Sequence, residues 1–339
     1  MEKKSIPTVA VVIPFYNGAR WIERAFRSVT DQTVPADERI VVNDGSRSDE
    51  RAALQPLADK YGFRIIDKPN GGQGSARNAG VAASRSDYIC FLDQDDFYLE
   101  NHIEILTDNL PEKDPRLGFV YADLHIADGD GGLIFTSSVK EHSPSNPKKS
   151  LIDLLRSDMF VLPSASIIRR KAFEAVGGFD DQFTGYEDDD LFLRIFRKGF
   201  TNYYVDEPVT VWCIHGESTS YSVRMSRSRF KYFVKLTEQF PDNPDRGLYF
   251  FRDCIAPRFG RAFLADAIKA TTKKSPDKQE LVEFLTRYAQ ILRQSKHIRR
   301  KLKLKFTLIA FVLRCSPPWA IKAMRYATLA PSIRRHLVN

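Results

Sequence analysis

A chain of 339 residues, 43% of them apolar, is long enough for one large or two ordinary domains, and its apolar content excludes a disordered protein. The formal charge of +8 is unevenly placed: Lys296 to the end holds 11 Lys and Arg and no Asp or Glu, so the body sits at −3 and the basicity belongs to the tail. Four dispersed cysteines (Cys90, Cys213, Cys254, Cys315) lack zinc-site or disulfide spacing and read as free thiols of a reducing cytoplasm. The N-terminus shows no signal-peptide pattern, and no run reaches the ~18 apolar residues of a membrane span.

The first half alternates. Apolar runs at 8–14, 39–44, 63–68 and 88–93 predict strands, and the segments 19–32 and 75–84, with a polar stretch after the second strand through about Lys60, predict the helices between them. Strand and helix in alternation with short links imply βαβ units and a doubly wound sheet, and runs without polar alternation fit strands covered on both faces. Residues 117–137 read as a hairpin with the Asp/Gly cluster 128–132 as its turn. A helix is expected near 150–157 and another over 187–199, with acids at its start and bases and Gly199 at its end. Residues 201–215 read as two short strands, and everything from about Ser222 as helix. The domains expected are 1–221, with a nucleotide-binding half to about 96 and an acceptor-binding half from 97, and a helical basic region 222–339.

Ligands of open α/β sheets bind outside the carboxyl ends of the strands. Here those ends are polar: Pro14-Phe15-Tyr16-Asn17-Gly18, Asn43-Asp44-Gly45-Ser46, Lys68-Pro69-Asn70-Gly71-Gly72-Gln73-Gly74, and Asp93-Gln94-Asp95-Asp96. Asp44 and Ser46 read either as a turn and cap or as acceptors for a nucleobase or ribose. The glycine loop reads as a linker or, running into a helix, as an anion site with Arg77 one turn in. It is neither a Rossmann fingerprint nor a P-loop. Asp93 and Asp95 point the same way in an extended segment and read as an Mg²⁺ or Mn²⁺ site or an acidic turn. Glu187 to Asp190 read as helix capping or, because crowding raises a carboxyl pKa, as a general base. His215 reads as structural or as a metal ligand.

In this order, the segments "VVIPFYN", "VVNDGS", "KPNGGQGSARNAG", "FLDQDD", "GGFDDQFTGYEDDDLFLR" and "HGESTS" resemble the family 2 glycosyltransferases across roughly residues 7–220. The resemblance implies a GT-A fold: an α/β, Rossmann-like, mostly parallel central sheet flanked by helices, here with a helical C-terminal extension. It implies a nucleotide-sugar site of Pro14, Phe15, Tyr16, Asn17, Asp44, Ser46, Asn70, Gly74, Arg77, Asp93 and Gln94, with a uracil base against 14–17 and Asp44. It makes Asp93-Gln94-Asp95 a DXD motif, with Asp93, Asp95 and His215 on the metal. Asp188 becomes the catalytic base, with Glu187 beside it. The implied activity is inverting transfer of a hexosyl or N-acetylhexosaminyl unit to a glycan or lipid-linked acceptor in polysaccharide or envelope biosynthesis. Asn43 stands where many members carry Asp, and Cys213 where many carry Arg. The Q-x-x-R-W motif of processive synthases is absent, so a processive polymerase is not expected.

The alternatives are a nucleotide-sugar-binding protein without turnover and a nucleotidyltransferase; the second lacks a basic glycine loop after the first strand. The tail 296–327 mixes bases with a short apolar run and predicts a helix on an anionic membrane surface, at the inner face of the cell membrane. A packing helix and an oligomer contact are its alternatives. No nucleic-acid motif accompanies the charge, and no nucleic-acid partner is expected.

Overall fold

The computed structural model describes residues 7–143, 145–216 and 222–317. Residues 217–220 of the "HGESTS" segment and the tail from 318 lie outside the described residues. The chain divides into two compact units, residues up to 150 with 158–216, and 151–157 with 222–317.

The alternation comes first: β1 (Val9–Phe15), α1 (Ala19–Thr30), β2 (Glu38–Asp44), α2 (Ser48–Tyr61), β3 (Arg64–Lys68), α3 (Gln73–Ala83) and β4 (Tyr88–Phe91). Next are β5 (Phe97–Tyr98), α4 (His102–Asp108), β6 (Leu117–Asp128), β7 (Leu133–Phe135) and the short helices α5 (Ser138–His142) and α6 (Leu151–Leu155). β8 (Ser166–Arg169), α7 (Arg170–Ala175), α8 (Glu187–Arg197) and β9 (Thr201–Ile214) follow. The remainder is helical: α9 (Val223–Gln239), α10 (Ala256–Thr272), α11 (Lys278–Gln294) and α12 (Arg300–Cys315).

One sheet runs β3-β2-β1-β4-β8-β6-β9-β5, with β7 added to β6. Its first half is parallel, as expected. Beyond β4 it is mixed: β8 is antiparallel to both neighbours, and β6 and β9 pair parallel. The sheet is therefore mixed: the expected parallel pairing holds from β3 to β4 and again between β6 and β9, and antiparallel strands enter because the later ones return by hairpin and by long crossover. β9 is a single strand of 14 residues, not the two short strands expected. Pro208 cannot donate to a ladder, and the register slips opposite Ala122–Asp123 to accommodate it. The 117–137 hairpin is present, with Ile126 opposite Phe135.

The early elements follow from their side chains. Every residue of β1 is buried, so the strand is apolar on both faces. α1 buries Ile22, Ala25, Phe26 and Val29, the stripe of an amphipathic helix. α2 ends at Gly62, whose φ of 68° supplies the left-handed cap. α3 is built of small residues because it lies close on the sheet. A Cβ on Gly80 would stand 2.2 Å from Val12 Cγ1. This approach delivers the N-terminus of α3 to the rim formed by the ends of β1, β2 and β4.

The second unit has its own aromatic core. Phe233 lies 5.5, 5.5 and 5.4 Å, centroid to centroid, from Phe259, Phe263 and Tyr288. The Tyr288 hydroxyl donates to the Ala256 carbonyl at 2.8 Å. Helix α6, placed within the first domain by the sequence reading, groups here; Leu154 and Leu155 are buried and the Leu154 carbonyl accepts from Arg258.

Candidate active site

Two loops at the ends of β1 and β2 are tied together. The Asn17 amide donates to Ser46 Oγ at 3.0 Å, and the Arg47 amide to Asn17 Oδ1 at 3.0 Å. Asn17 holds φ at 49°, a conformation Asn tolerates better than most residues. Pro14 and Phe15 lie in the sheet core, so their side chains are not available to a ligand, contrary to expectation; the strand simply runs on to Phe15. Tyr16 is exposed and Asn17 half-buried. Gln94 pairs with the Tyr16 main chain, accepting from its N–H at 2.9 Å and donating to its C=O at 3.2 Å. Both ends of its amide brace the β1 loop, a different task from the donor contact expected of it. Gly18 makes room, because a Cβ there would fall 2.3 Å from the Gln94 amide.

The glycine loop closes on Asp44. The buried carboxylate accepts from the Gly71 and Gly72 N–H groups at 2.9 and 2.7 Å and from Lys68 Nζ at 2.6 Å. Asn70 Nδ2 donates to the Asp44 carbonyl at 2.8 Å. The N–H groups of 71 and 72, expected as an anion cradle, are thus met by an internal carboxylate. Gly74 packs against Phe179, where a Cβ would approach to 3.2 Å.

Arg77 also departs from expectation. Its side chain is 3% exposed and does not present a free fork at the surface. Nη2 donates to Asp93 Oδ1 at 2.6 Å, Nη1 to Glu187 Oε1 at 3.3 Å, and the guanidinium lies over the rings of Phe179 and Phe91. Burial works against its charge, and the two carboxylates more than offset that, raising its pKa. A buried cation needs such partners, and this one draws together two acidic clusters 94 positions apart in the chain, Asp93 and Glu187. Among the described residues, Arg77 Nε and Glu187 Oε2 are buried without a hydrogen-bond partner.

The four acids at the start of α8 are not equivalent. Glu187, Asp189 and Asp190 are buried, and Asp190 pairs with Arg194 at 2.7 Å. Asp188 alone is partly exposed. Burial first, and the Glu187 charge second, push its carboxyl up to about 7. The Asp189 N–H holds Asp188 Oδ1 at 2.8 Å. A carboxyl with this pKa and access is suited to accept a proton near neutrality.

Asp95 and His215 come together: Nε2 lies 2.7 Å from Oδ2. Asp93 does not join them, because Arg77 and Gln73 Nε2, the latter at 2.6 Å, take its Oδ1. The triad Asp93–Asp95–His215 is thus not one convergent set here, and no group of three or more His, Cys, Asp or Glu among the described residues has metal-site geometry. Burial and the neighbouring Asp93 raise the Asp95 pKa, and burial with Asp95 and Asp93 raises that of Asp96 further. Burial and mutual repulsion thus disfavour full ionisation of this turn.

The sequence reading gave Lys68 and Gln73 a place on the rim but no task, and it missed Trp21 and Arg24. Trp21 stacks on His215 at 4.5 Å, and Arg24 donates to the Asp95 carbonyl at 2.7 Å and to Cys213 Sγ at 3.2 Å. Trp21, Arg24 and His215, with Arg20, Gly129 and Asp130, line an open hollow of about 470 Å³. Arg20, Trp21 and Arg24 share one face of α1 at i, i+1 and i+4, a spacing visible in the sequence.

Comparison with known proteins joins this geometry to a family. Residues 10–177 match glycosyl transferase family 2, and residues 162–215 match a galactosyltransferase domain. An uncharacterized glycosyltransferase of Rickettsia typhi is 30% identical over 242 residues, covering 69% of this chain and 74% of the relative. One from Rickettsia conorii is 35% identical over 193 residues, 56% of this chain and 31% of the relative. The chondroitin synthase of Escherichia coli is 30% identical over 218 residues, 64% of this chain and 30% of the synthase. The chain thus spans about a third of the length of several relatives. Among solved structures, S. aureus TarS 1-349 with UDP-GlcNAc aligns with a TM-score of 0.59 at 16% identity, covering 91% of this chain and 92% of that one. The Pyrobaculum calidifontis mannosyltransferase with GDP-Man and Mn²⁺ aligns at 0.54 and 16%, covering 91% and 86%. The fold is GT-A, and the chain belongs to glycosyltransferase family 2.

Proposed function

We propose that the chain transfers a hexosyl or N-acetylhexosaminyl unit from a nucleotide sugar, a UDP-sugar by preference, to a hydroxyl of a glycan or lipid-linked saccharide, with inversion. The observation that carries this reading is Asp188, partly exposed, poised near pH 7 and set beside the buried Glu187–Arg77–Asp93 chain. Ionised Asp188 accepts the proton of the acceptor hydroxyl as its oxygen attacks the anomeric carbon. Glu187 keeps that carboxyl basic through its charge, and Arg77 fixes Glu187 and Asp93 in place. Tyr16 and Asn17 are the accessible members of the first loop for the base. A single displacement inverts the centre. The TarS structure with UDP-GlcNAc and the mannosyltransferase structure with GDP-Man support a nucleotide-sugar donor, and the chondroitin and hyaluronan synthase relatives support a place in glycan assembly.

Asp95 and His215, which meet at 2.7 Å, would hold a divalent cation, Mn²⁺ or Mg²⁺, and Asp93, engaged by Arg77 and Gln73 in this structure, would have to turn from them to complete the set. Bound there, the ion would neutralise charge on the departing diphosphate.

The test pairs donor binding with transfer. Calorimetry of a nucleotide-sugar panel, with and without Mn²⁺, should identify one metal-dependent donor. Asp188→Asn should bind it within about twofold of the parent yet lose roughly 10²–10⁴ in transfer rate. Retained transfer would remove Asp188 from the chemistry, and an absence of binding by any donor would leave the acidic turn without its assigned role.

A further inference from the structure

We propose that the outward face of α12 docks onto an anionic lipid bilayer. α12 has two apolar stripes. Phe306, Ala310 and Leu313, at i, i+4 and i+7, turn inward, and Phe306 meets Tyr288 edge to face at 5.0 Å. Leu304, Leu308 and Phe311 repeat the same spacing on the opposite side and are 70%, 63% and 63% exposed. At ~100° per residue, Lys301 and Lys305 border this outer stripe on one side, and Arg300 and Arg314 on the other. No Asp or Glu occurs from Phe284 onward. Among the described residues, none of these four bases is in an ion pair.

This pattern selects its occupant. An apolar ridge with bases along both flanks lets the ridge enter the acyl boundary while Lys and Arg stems reach up to phosphates. A soluble polyanion would use the bases and leave the ridge in water. A second copy of this face would set like charges against each other with no acid to relieve them. No helix among the described residues is long and apolar enough to cross a membrane, so the fitting mode is a helix lying flat. The proposal does not depend on the sugar-transfer reading.

The full chain should co-sediment with vesicles of phosphatidylcholine containing about one third phosphatidylglycerol, weakly or not at all with phosphatidylcholine alone, and less as salt rises. Leu308→Glu should cut binding tenfold or more, and Lys301→Gln and Lys305→Gln roughly fivefold each. All three side chains are at the surface, and unchanged thermal melting would show the variants folded. Failure to bind anionic vesicles overturns the proposal, as does equal binding by Leu308→Glu. So would a dimer in sedimentation equilibrium that Leu308→Glu dissociates without any vesicle binding by the parent, since a second copy would then cover the face. Binding to a soluble polyanion such as heparin as tight as to vesicles, and indifferent to Leu308→Glu, would assign the face to charge alone.

Discussion

The turn Asp93–Asp96 and the helix start Glu187–Asp190 both crowd carboxylates, yet they settle the crowding differently. At the helix start Asp190 has Arg194 and Glu187 has Arg77, yet burial still raises Glu187 and, with the Glu187 charge, pushes Asp188 up to about 7. At the turn Asp93 draws on Arg77, Asp95 on His215 and Asp96 on the Cys213 N–H, and two of the three pKa values still stand raised. Both clusters therefore disfavour full ionisation: at the helix start the proton sits on a partly exposed carboxyl that can exchange it, and at the turn an added cation would favour the ionised forms. The same composition serves base chemistry or cation binding according to where the compensating groups lie.

The largest break in this contrast should come from Asp95→Ala, which removes a carboxylate from the cation side. Turnover should fall by about 10³ or more, with loss of metal-dependent donor binding in calorimetry. Near-normal turnover would make the turn a structural cap. Arg77→Met comes next, because it strands Asp93 and Glu187 together. A loss of about 3–5 kcal/mol in urea unfolding is expected. A variant as stable as the parent would show that the bridge is not structural. Arg194→Gln should destabilise by about 1–3 kcal/mol, since Arg194 also donates to the Val176 and Gly178 carbonyls. It should leave the pH profile of transfer in place.

The smallest and sharpest effect concerns pH. Asp188 must be ionised to act, so transfer should rise with pH through an inflection near 7. Glu187 raises the Asp188 pKa, so Glu187→Gln should move that inflection to lower pH. A shift upward, or none, would separate the two acids. The linkage to stability has the opposite sense: a carboxyl whose folded pKa is raised favours the fold below the unfolded value near 4, and that contribution is lost as pH rises through 7.

The alternating first half of the chain was legible because each element carries its own signal: unbroken apolar runs for β1, β2 and β4, and a 3.6-residue stripe for α1. β9 was not, because Asp206-Glu207-Pro208 reads as a break, and only the slipped pairing with β6 shows how one strand absorbs it. The antiparallel insertion of β8 depends on strand order, which no local pattern encodes. Within the site, the acidic clusters stood out because like charges side by side require an explanation. The tasks of Arg77, Gln94, Pro14 and Phe15 did not stand out, since a residue type tells what a side chain offers and burial decides to whom. Asp44 is the clearest instance, a rim carboxylate whose partners are the neighbouring loop.

The Arg77 bridge also bears on heredity. Because one buried guanidinium serves both Asp93 and Glu187, loss of Arg77 strands two carboxylates, whereas loss of either acid leaves Arg77 paired with the other. Drift at these positions is therefore ordered: either acid can change while the arginine stays, but the arginine cannot go first. The order of permitted changes couples three codons that lie far apart in the gene.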